Sequence, residues 1–194
     1  GVGALGPGVH RVPASPAVLQ GRWGAAVTRA VEDRAALAHM VAQLGPADRD
    51  MIPDVLPTAD VLVGRVGELA TTLHELDRDA PASLVTDVEA RLAAARAAAA
   101  ATGGPPDTDR ARRIELLERQ HATLADLALR REQLAARLDS AGLLLQNMRL
   151  DLLRLRSAGI ESALGELTSA TREATALSRD IVRALDVAEE LRKQ

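Results

Sequence analysis

Residues 140–159 read SAGLLLQNMRLDLLRLRSAG, a stretch that carries apolar residues on more than one side of any helix it forms. At about 100° per residue, these apolar residues fall on two arcs. The first arc consists of Leu144, Leu145, Met148, Leu152 and Leu155. The second arc consists of Leu143, Leu150 and Leu153. Because one seam satisfies one partner helix, two seams predict a helix inside a bundle of three or more helices, with neighbours from this chain or from another subunit.

The composition also indicates long helices. The 194 residues include no Cys, Phe or Tyr and a single Trp, while 26% are charged. Leucine, valine, isoleucine and alanine must therefore fill the core, as is typical of helical bundles and coiled coils. The absence of Cys excludes disulfides, thiolate metal ligands and a thiol nucleophile, and it fits a cytoplasmic setting. A net charge of −3 provides no general attraction to nucleic acid.

Heptad seams run through three segments of the chain. The seam over 52–76 alternates steps of three and four without a miss, the seam over 117–155 has Gln120 and Arg131 as its polar members, and the seam over 160–191 is apolar throughout. Gln120 and Arg131 either set helix register and partner number or lie at an open end. The predicted packing and interaction residues are Leu62, Val66, Leu69, Leu73, Leu134, Leu138, Leu145, Met148, Leu152, Leu155, Leu167, Leu177 and Ile181.

We predict an all-α fold in which long helices form an antiparallel coiled coil or helical bundle behind a flexible N-terminal linker. The linker covers 1–14, and three helices with proline-rich kinks at 45–57 cover 15–101. Glycine and proline mark a second linker at 102–107, and a long helical hairpin or coiled coil covers 108–194. No apolar run is long enough to span a membrane.

Local signals predict the helix ends. Ser15 followed by proline starts a helix that runs to about residue 44, and the T-x-x-E pattern at 86–89 is a candidate capping box. Asp107 is a suitable N-cap for the long helix. At 157–159 the last two seams are out of phase by one residue, because the step from position 155 to position 160 is five residues. This slip is either a tight turn, with Gly159 after the helix end, or a skip in one continuous helix, and we favour the turn.

Motifs for phosphate or metal binding are weak. GVGALG over 1–6 has the letters of a phosphate-binding loop, but no strand precedes it, so we interpret it as linker composition. His10, His39, His74 and His121 are scattered without zinc-ligand spacing. His121 lacks the acidic residue and proline-containing box of a phosphorelay histidine, and we interpret it as a partly exposed helix residue.

Motifs for nucleophilic catalysis or nucleic-acid binding are weak as well. The serines and threonines of 168–178 have no histidine or aspartate arranged around them, so we interpret them as small residues that permit close helix contact. The basic runs at 109–113 and 154–156 lack interleaved aromatics and are interpreted as helix-surface charges. We assign no catalytic, cofactor-binding or metal-binding residue.

Beyond these patterns, the C-terminal half has a specific likeness. Residues 112–159 read RRIELLERQHATLADLALRREQLAARLDSAGLLLQNMRLDLLRLRSAG, and LTSATREATALSRDI follows at 167–181. Together they resemble the helical C-terminal region of a group of bacterial serine/threonine protein kinases. Residues 54–77, DVLPTADVLVGRVGELATTLHELD, resemble the helical stretch just upstream in the same proteins. The resemblance covers about 50–187 and is strongest over 112–187.

The resemblance implies a parent protein kinase whose catalytic domain lies before residue 1. The glycine-rich loop, the V-A-I-K lysine, the H-R-D loop and D-F-G are not in this chain, so no catalytic residue is carried over. ATP and Mg²⁺ are expected only for that upstream domain. The parent protein is expected in the cytoplasm, either free or associated with a membrane. We expect this chain to be a fragment, without enzyme activity of its own, that self-associates or forms an intramolecular hairpin. The alternative is a stand-alone helical adaptor.

Overall fold

The computed structural model describes residues 12–105, 107–158 and 160–193. These residues form seven α-helices and no strand, so the all-α prediction is confirmed. The helices are α1 (Pro16–Gln20), α2 (Gly24–Ala42), α3 (Pro46–Asp50), α4 (Val55–Asp79), α5 (Ala82–Ala101), α6 (Thr108–Ala158) and α7 (Ile160–Arg192). The GVGALG motif and most of the predicted N-terminal linker lie outside the described residues.

The chain divides into two compact units. The first unit contains Gly1–Thr72 and Ala136–Gln194, and the second unit contains Leu73–Ala135. Both α4 and α6 therefore have residues in each unit. The predicted division at 102–107 follows chain order, whereas this segment lies inside the second unit. The reason is that a short linker reverses the chain direction, so that the helices before and after it, α5 and α6, pack in the same unit.

The first predicted helix, over 15–44, is interrupted, and the structure corrects that prediction. Ser15 caps α1 through its side chain, but α1 ends after five residues, and Gly21 is extended with φ −84° and ψ −175°. At Gly24, where α2 begins, a Cβ atom would lie 1.8 Å from the Leu19 carbonyl oxygen. Only a glycine permits this close approach of two backbones, which apolar periodicity does not register.

The proline-broken passage forms the short helical pieces that its sequence predicts. Helix α3 covers five residues, and Pro57 is accommodated in the first turn of α4. Pro81 starts α5 from an extended conformation, so Thr86 lies inside that helix and donates its Oγ1 hydrogen to the Ala82 carbonyl oxygen at 3.2 Å. The capping box predicted for Thr86 and Glu89 is therefore wrong, because the helix begins a full turn earlier.

In the second unit, α5 and α6 are joined where the sequence predicts a break. Gly103 adopts a left-handed conformation with φ 52°, and the Asp107 side chain accepts a backbone hydrogen bond at the start of α6, as predicted. Arg96 of α5 and Glu118 of α6 form an ion pair at 2.8 Å. The small core of this unit includes Ala80, Val88 and Leu124, with Val85 and Leu127 beside them. Most of the alanine-rich α5 remains exposed.

The core of the first unit is larger and rich in leucine. Its large, fully buried side chains are Leu37, Leu62, Leu69, Leu145, Met148, Leu152, Leu167 and Ile181, contributed by α2, α4, α6 and α7. An ion pair between Arg34 and Asp60 joins α2 to α4. These helices bury one another's apolar faces. Among the described residues, the buried core contains no aromatic side chain.

Two ion pairs define the direction of α7 relative to α6. Arg154 lies 2.6 Å from Glu166, and Arg137 lies 2.8 Å from Asp180. Because the residue number falls on α6 as it rises on α7, the two helices run in opposite directions, as in the hairpin alternative. Gly159, the residue predicted to follow the helix end, lies outside the described residues.

Candidate interaction surface

The predicted seam residues lie in the interior of the two units. All of them are buried except Leu177, which is half-buried: Leu62, Val66, Leu69, Leu73, Leu134, Leu138, Leu145, Met148, Leu152, Leu155, Leu167, Leu177 and Ile181. Leu73 and Leu134 belong to the second unit, and the others to the first. These side chains hold the helices of this chain together, so a second protein would reach other residues first.

The two arcs of residues 140–159 have different surroundings. In the first arc, Leu145, Met148 and Leu152 are fully buried. In the second arc, Leu143, Leu150 and Leu153 are 51%, 55% and 49% exposed. The prediction that both arcs contact neighbouring helices therefore holds within this chain for the first arc alone. The second arc is an apolar ridge that faces solvent.

The exposed leucines belong to a longer face of α6, which we call the α6 stripe. Its members recur at helical spacing and are all exposed: Ala136, Asp139, Ser140, Leu143, Gln146, Asn147, Leu150, Leu153, Arg154 and Ser157. All of them lie in the first unit. The stripe thus combines a leucine centre with polar and small residues at both ends.

Arg149 lies at one border between the buried face of α6 and the stripe. It forms an ion pair at 3.0 Å with Asp33 of α2, whose side chain is 6% exposed. Asp33 lies between the buried Ala30 and Leu37 on α2, and this pair explains how a carboxylate is accommodated there. An aspartate among apolar residues of a helix indicates a buried partner, but the sequence does not identify Arg149 as that partner.

The carboxylates of Asp151 and Glu166 lie near each other at the other border between the buried face of α6 and the stripe. Burial raises the pKa of the Asp151 carboxyl above its usual value, the negative charge of Glu166 adds to this rise, and the positive charge of Arg154 opposes it. The Arg154 guanidinium is shared between this border and the stripe, and it contacts Glu166 directly. The charge on Asp151 is therefore less favourable in the folded chain than in water.

The two polar seam residues have separate environments in the second unit. Gln120 is exposed. Arg131 is partly buried, with its Nε 3.0 Å from an Asp77 carboxylate oxygen, and its Nη2 donates a hydrogen bond of 2.9 Å to the Ala80 carbonyl oxygen. Arg131 therefore connects α6 to the end of α4 and to the turn that follows it, which is a means of setting helix register.

His121 has a carboxylate neighbour on another helix, which its own sequence context does not reveal. Its Nε2 lies 3.3 Å from Glu89 of α5, and both side chains are substantially exposed. His39, in the last turn of α2, instead contacts Gln43, the residue that follows this helix. This exposed histidine–glutamate pair is a contact between α5 and α6.

The threonines of α7 bond to their own helix. Thr171 donates a hydrogen bond to the Leu167 carbonyl oxygen, and Thr175 donates one to the Thr171 carbonyl oxygen. Thr175 and Ser178 also line an open groove of about 300 Å³ between α4 and α7, with Arg65 across from them. The lining of this groove contains neither histidine nor carboxylate, so it has no acid–base pair for catalysis.

Among the described residues, no cluster of histidine, aspartate and glutamate is arranged to hold a metal ion. None of the helices in the described ranges is long and apolar enough to cross a lipid bilayer. The α6 stripe contains three large apolar side chains that the contacts within this chain leave about half exposed.

Comparisons with known proteins provide no match to this chain: no protein-family model matches it, and neither does any curated protein or solved structure.

Proposed function

We propose that this chain is a non-catalytic association module, and that the α6 stripe is the surface through which it binds another helix. The observation that supports the proposal is the ridge of Leu143, Leu150 and Leu153, each about half exposed beside a core that leaves other leucines fully covered. Burying the rest of each side chain contributes roughly 1 kcal/mol. A ridge of this kind is a common feature of helix-to-helix interaction surfaces.

We further propose that the module is the C-terminal helical region of a cytoplasmic bacterial serine/threonine protein kinase. The support is the resemblance of residues 112–187 to that region. A tail that self-associates raises the effective concentration of one catalytic domain near another and thereby favours autophosphorylation between copies. ATP and Mg²⁺ belong to the kinase domain in this proposal, and this chain supplies proximity.

The association part is tested by sedimentation velocity over a range of chain concentrations. We expect a concentration-dependent increase in sedimentation coefficient that Leu150→Glu abolishes. Leu116→Glu is the matched control, because Leu116 is equally exposed on α6 but lies outside the stripe. Equal association of the two variants would contradict the proposal that the stripe is the contact surface.

The kinase part is tested by reading the gene upstream of the Gly1 codon. An in-frame kinase domain with H-R-D and D-F-G motifs would support it. A start codon immediately before Gly1 would overturn it and leave the alternative, a stand-alone helical adaptor. With a kinase domain present, Leu150→Glu in the full protein is expected to slow autophosphorylation at low enzyme concentration while leaving the phosphorylation of an added peptide unchanged.

A further inference from the structure

Most residues of the α6 stripe have a matching or complementary residue at the same distance on the other side of the stripe's centre. About a point midway between Gln146 and Asn147, each member of the stripe has a counterpart at equal distance on the other side. The counterparts are Leu143 with Leu150, Ser140 with Leu153, Asp139 with Arg154, and Ala136 with Ser157. Leucine is matched with leucine, an acidic residue with a basic one, and Ala136 with Ser157, while Ser140 faces the larger Leu153. A surface with this pattern is complementary to a copy of itself turned end to end.

We propose that the α6 stripe binds the α6 stripe of a second copy of this chain in antiparallel orientation, with a two-fold axis passing between Gln146 and Asn147. This inference rests on the proposed function and specifies its partner and geometry. In such a pair, each Leu143 packs against Leu150 of the second copy, and the same contact repeats on the far side of the axis.

The charges of the stripe favour this orientation over the parallel one. An antiparallel pair places Asp139 opposite Arg154 of the second copy, and the contact occurs twice. A parallel pair places Asp139 opposite the second Asp139 and Arg154 opposite the second Arg154, so that like charges face each other at both ends. Such like-charge contacts discriminate against the wrong partner orientation.

Arg154 already pairs with Glu166 of its own chain, and this contact is compatible with the dimer. Both side chains are about half exposed, so the existing pair is solvated and weak. A guanidinium has five donors and can bind two carboxylates at once. Asp139 is exposed on the same face of α6 as Arg154, so a partner's guanidinium reaches it without removing any core contact.

The centre and the ends of the stripe fit close approach of two helices. Gln146 and Asn147 lie at the axis, where their amides can donate to and accept from the same groups of the second copy. Ala136, Ser140 and Ser157 are small, which lets the helix backbones approach toward the low end of the usual 8–10 Å separation. The polar centre adds specificity to a contact whose attraction comes from the leucines.

The length of the α6 stripe sets the affinity that we expect for the dimer. From residue 136 to residue 157 a helix extends about 32 Å. A single helix-on-helix contact of this length buries well under the roughly 800 Å² per partner of a standard interface. We therefore expect a dissociation constant in the micromolar range, and a tethered parent protein would strengthen the association through effective concentration.

Orientation is tested by distances between spin labels. Because the chain has no cysteine, Ser140→Cys and Ser157→Cys each provide one unique attachment point. The antiparallel pair predicts separations between backbone positions of about 20 Å for residue 140 and about 32 Å for residue 157. A parallel pair predicts about 10 Å for both. Pulsed electron–electron double resonance on the frozen dimer measures these distances and distinguishes the two orientations.

Charge reversal tests the same geometry in solution. We expect Asp139→Arg to weaken dimerisation by about tenfold, because two attractive contacts become repulsive, and Arg154→Glu added in the same chain to restore affinity to within about threefold. Circular dichroism in dilute solution verifies that each variant is folded as a monomer. The control Leu116→Glu is expected to leave the dissociation constant unchanged.

The outcomes separate this inference from the function on which it rests. Short distances at both label positions, or a double variant as weak as Asp139→Arg, would overturn the antiparallel pair while the association module stands. Association that Leu150→Glu does not affect would overturn the stripe as the contact surface and the inference with it. A chain that stays monomeric up to about 500 μM, well above the expected range, would overturn self-association itself.

Discussion

The two faces of α6 between residues 136 and 157 contain the same kind of residue in opposite surroundings. Leu145 and Leu152 are fully buried, whereas Leu143 and Leu150 are about half exposed, although they are near neighbours in sequence. All four are leucines in a continuous helix, so helix propensity and hydrophobicity do not distinguish them. The difference teaches that the apolar pattern marks surfaces able to bind a helix, and that the number of helices in the chain decides which are covered.

The largest expected effect comes from shortening a leucine on the buried face. Leu145→Ala removes side-chain atoms from a fully buried site, so we expect the free energy of unfolding to fall by about 2–5 kcal/mol. Leu150→Ala is the matched change on the exposed face, and we expect a change within about 0.5 kcal/mol. Urea unfolding followed by circular dichroism measures both in dilute solution. Equal losses would contradict the assignment of the two faces.

An intermediate effect is expected at the border that Arg149 occupies. Arg149→Ala leaves the buried Asp33 carboxylate without its ion-pair partner, so we expect destabilisation of about 1–3 kcal/mol. Because Arg149 is half exposed, water compensates part of the loss. The double variant Asp33→Ala with Arg149→Ala is expected to lose less than the sum of the two single losses. Simple additivity would show that the two residues act independently.

The smallest effect is expected at the opposite border, at Asp151. Its pKa is raised, first by burial and then by Glu166, so the folded chain binds this proton more tightly than the unfolded chain does. The carboxyl therefore stabilises the fold at pH values below its ordinary pKa, and that contribution is lost as the pH rises through the raised pKa. Asp151→Asn is expected to raise the melting temperature slightly at pH 7.

The pH dependence provides the control for Asp151. Thermal unfolding of the native chain and Asp151→Asn, followed at several pH values, should converge as the pH falls toward about 3, where the native carboxyl is protonated. A variant that gains stability at acid pH instead would show that its effect comes from contacts of the new amide. Leu150→Ala, on the adjacent exposed face, should show no such pH dependence.

Much of the fold follows from sequence periodicity. The seam of α4 predicts a set of buried residues, and the structure buries every one of its members from Ile52 to Leu76. The break around Gly103 and the start of α6 at Asp107 follow from local backbone preferences. The interruption at Gly21 and Gly24 does not, because it depends on the approach of two backbones whose side chains carry no periodic signal.

The candidate surface was only half predictable. Its leucine pattern is evident in residues 140–159, and so is the existence of a second arc. Which arc contacts the core depends on where α2, α4 and α7 lie, and on specific partners such as Asp33 for Arg149. The symmetric arrangement of Asp139 and Arg154 is present in the sequence, yet it gains meaning only once the structure shows that this face is exposed.

The helical class of the chain, most of its helix ends and the two apolar faces of α6 follow from the residues alone, because these properties depend on local conformation and on the 3.6-residue period. Which of those faces forms the core and which meets solvent depends on how the helices pack together. Burial is a property of the whole arrangement: a leucine is covered when another helix is near enough to exclude water, and no local pattern specifies that neighbour.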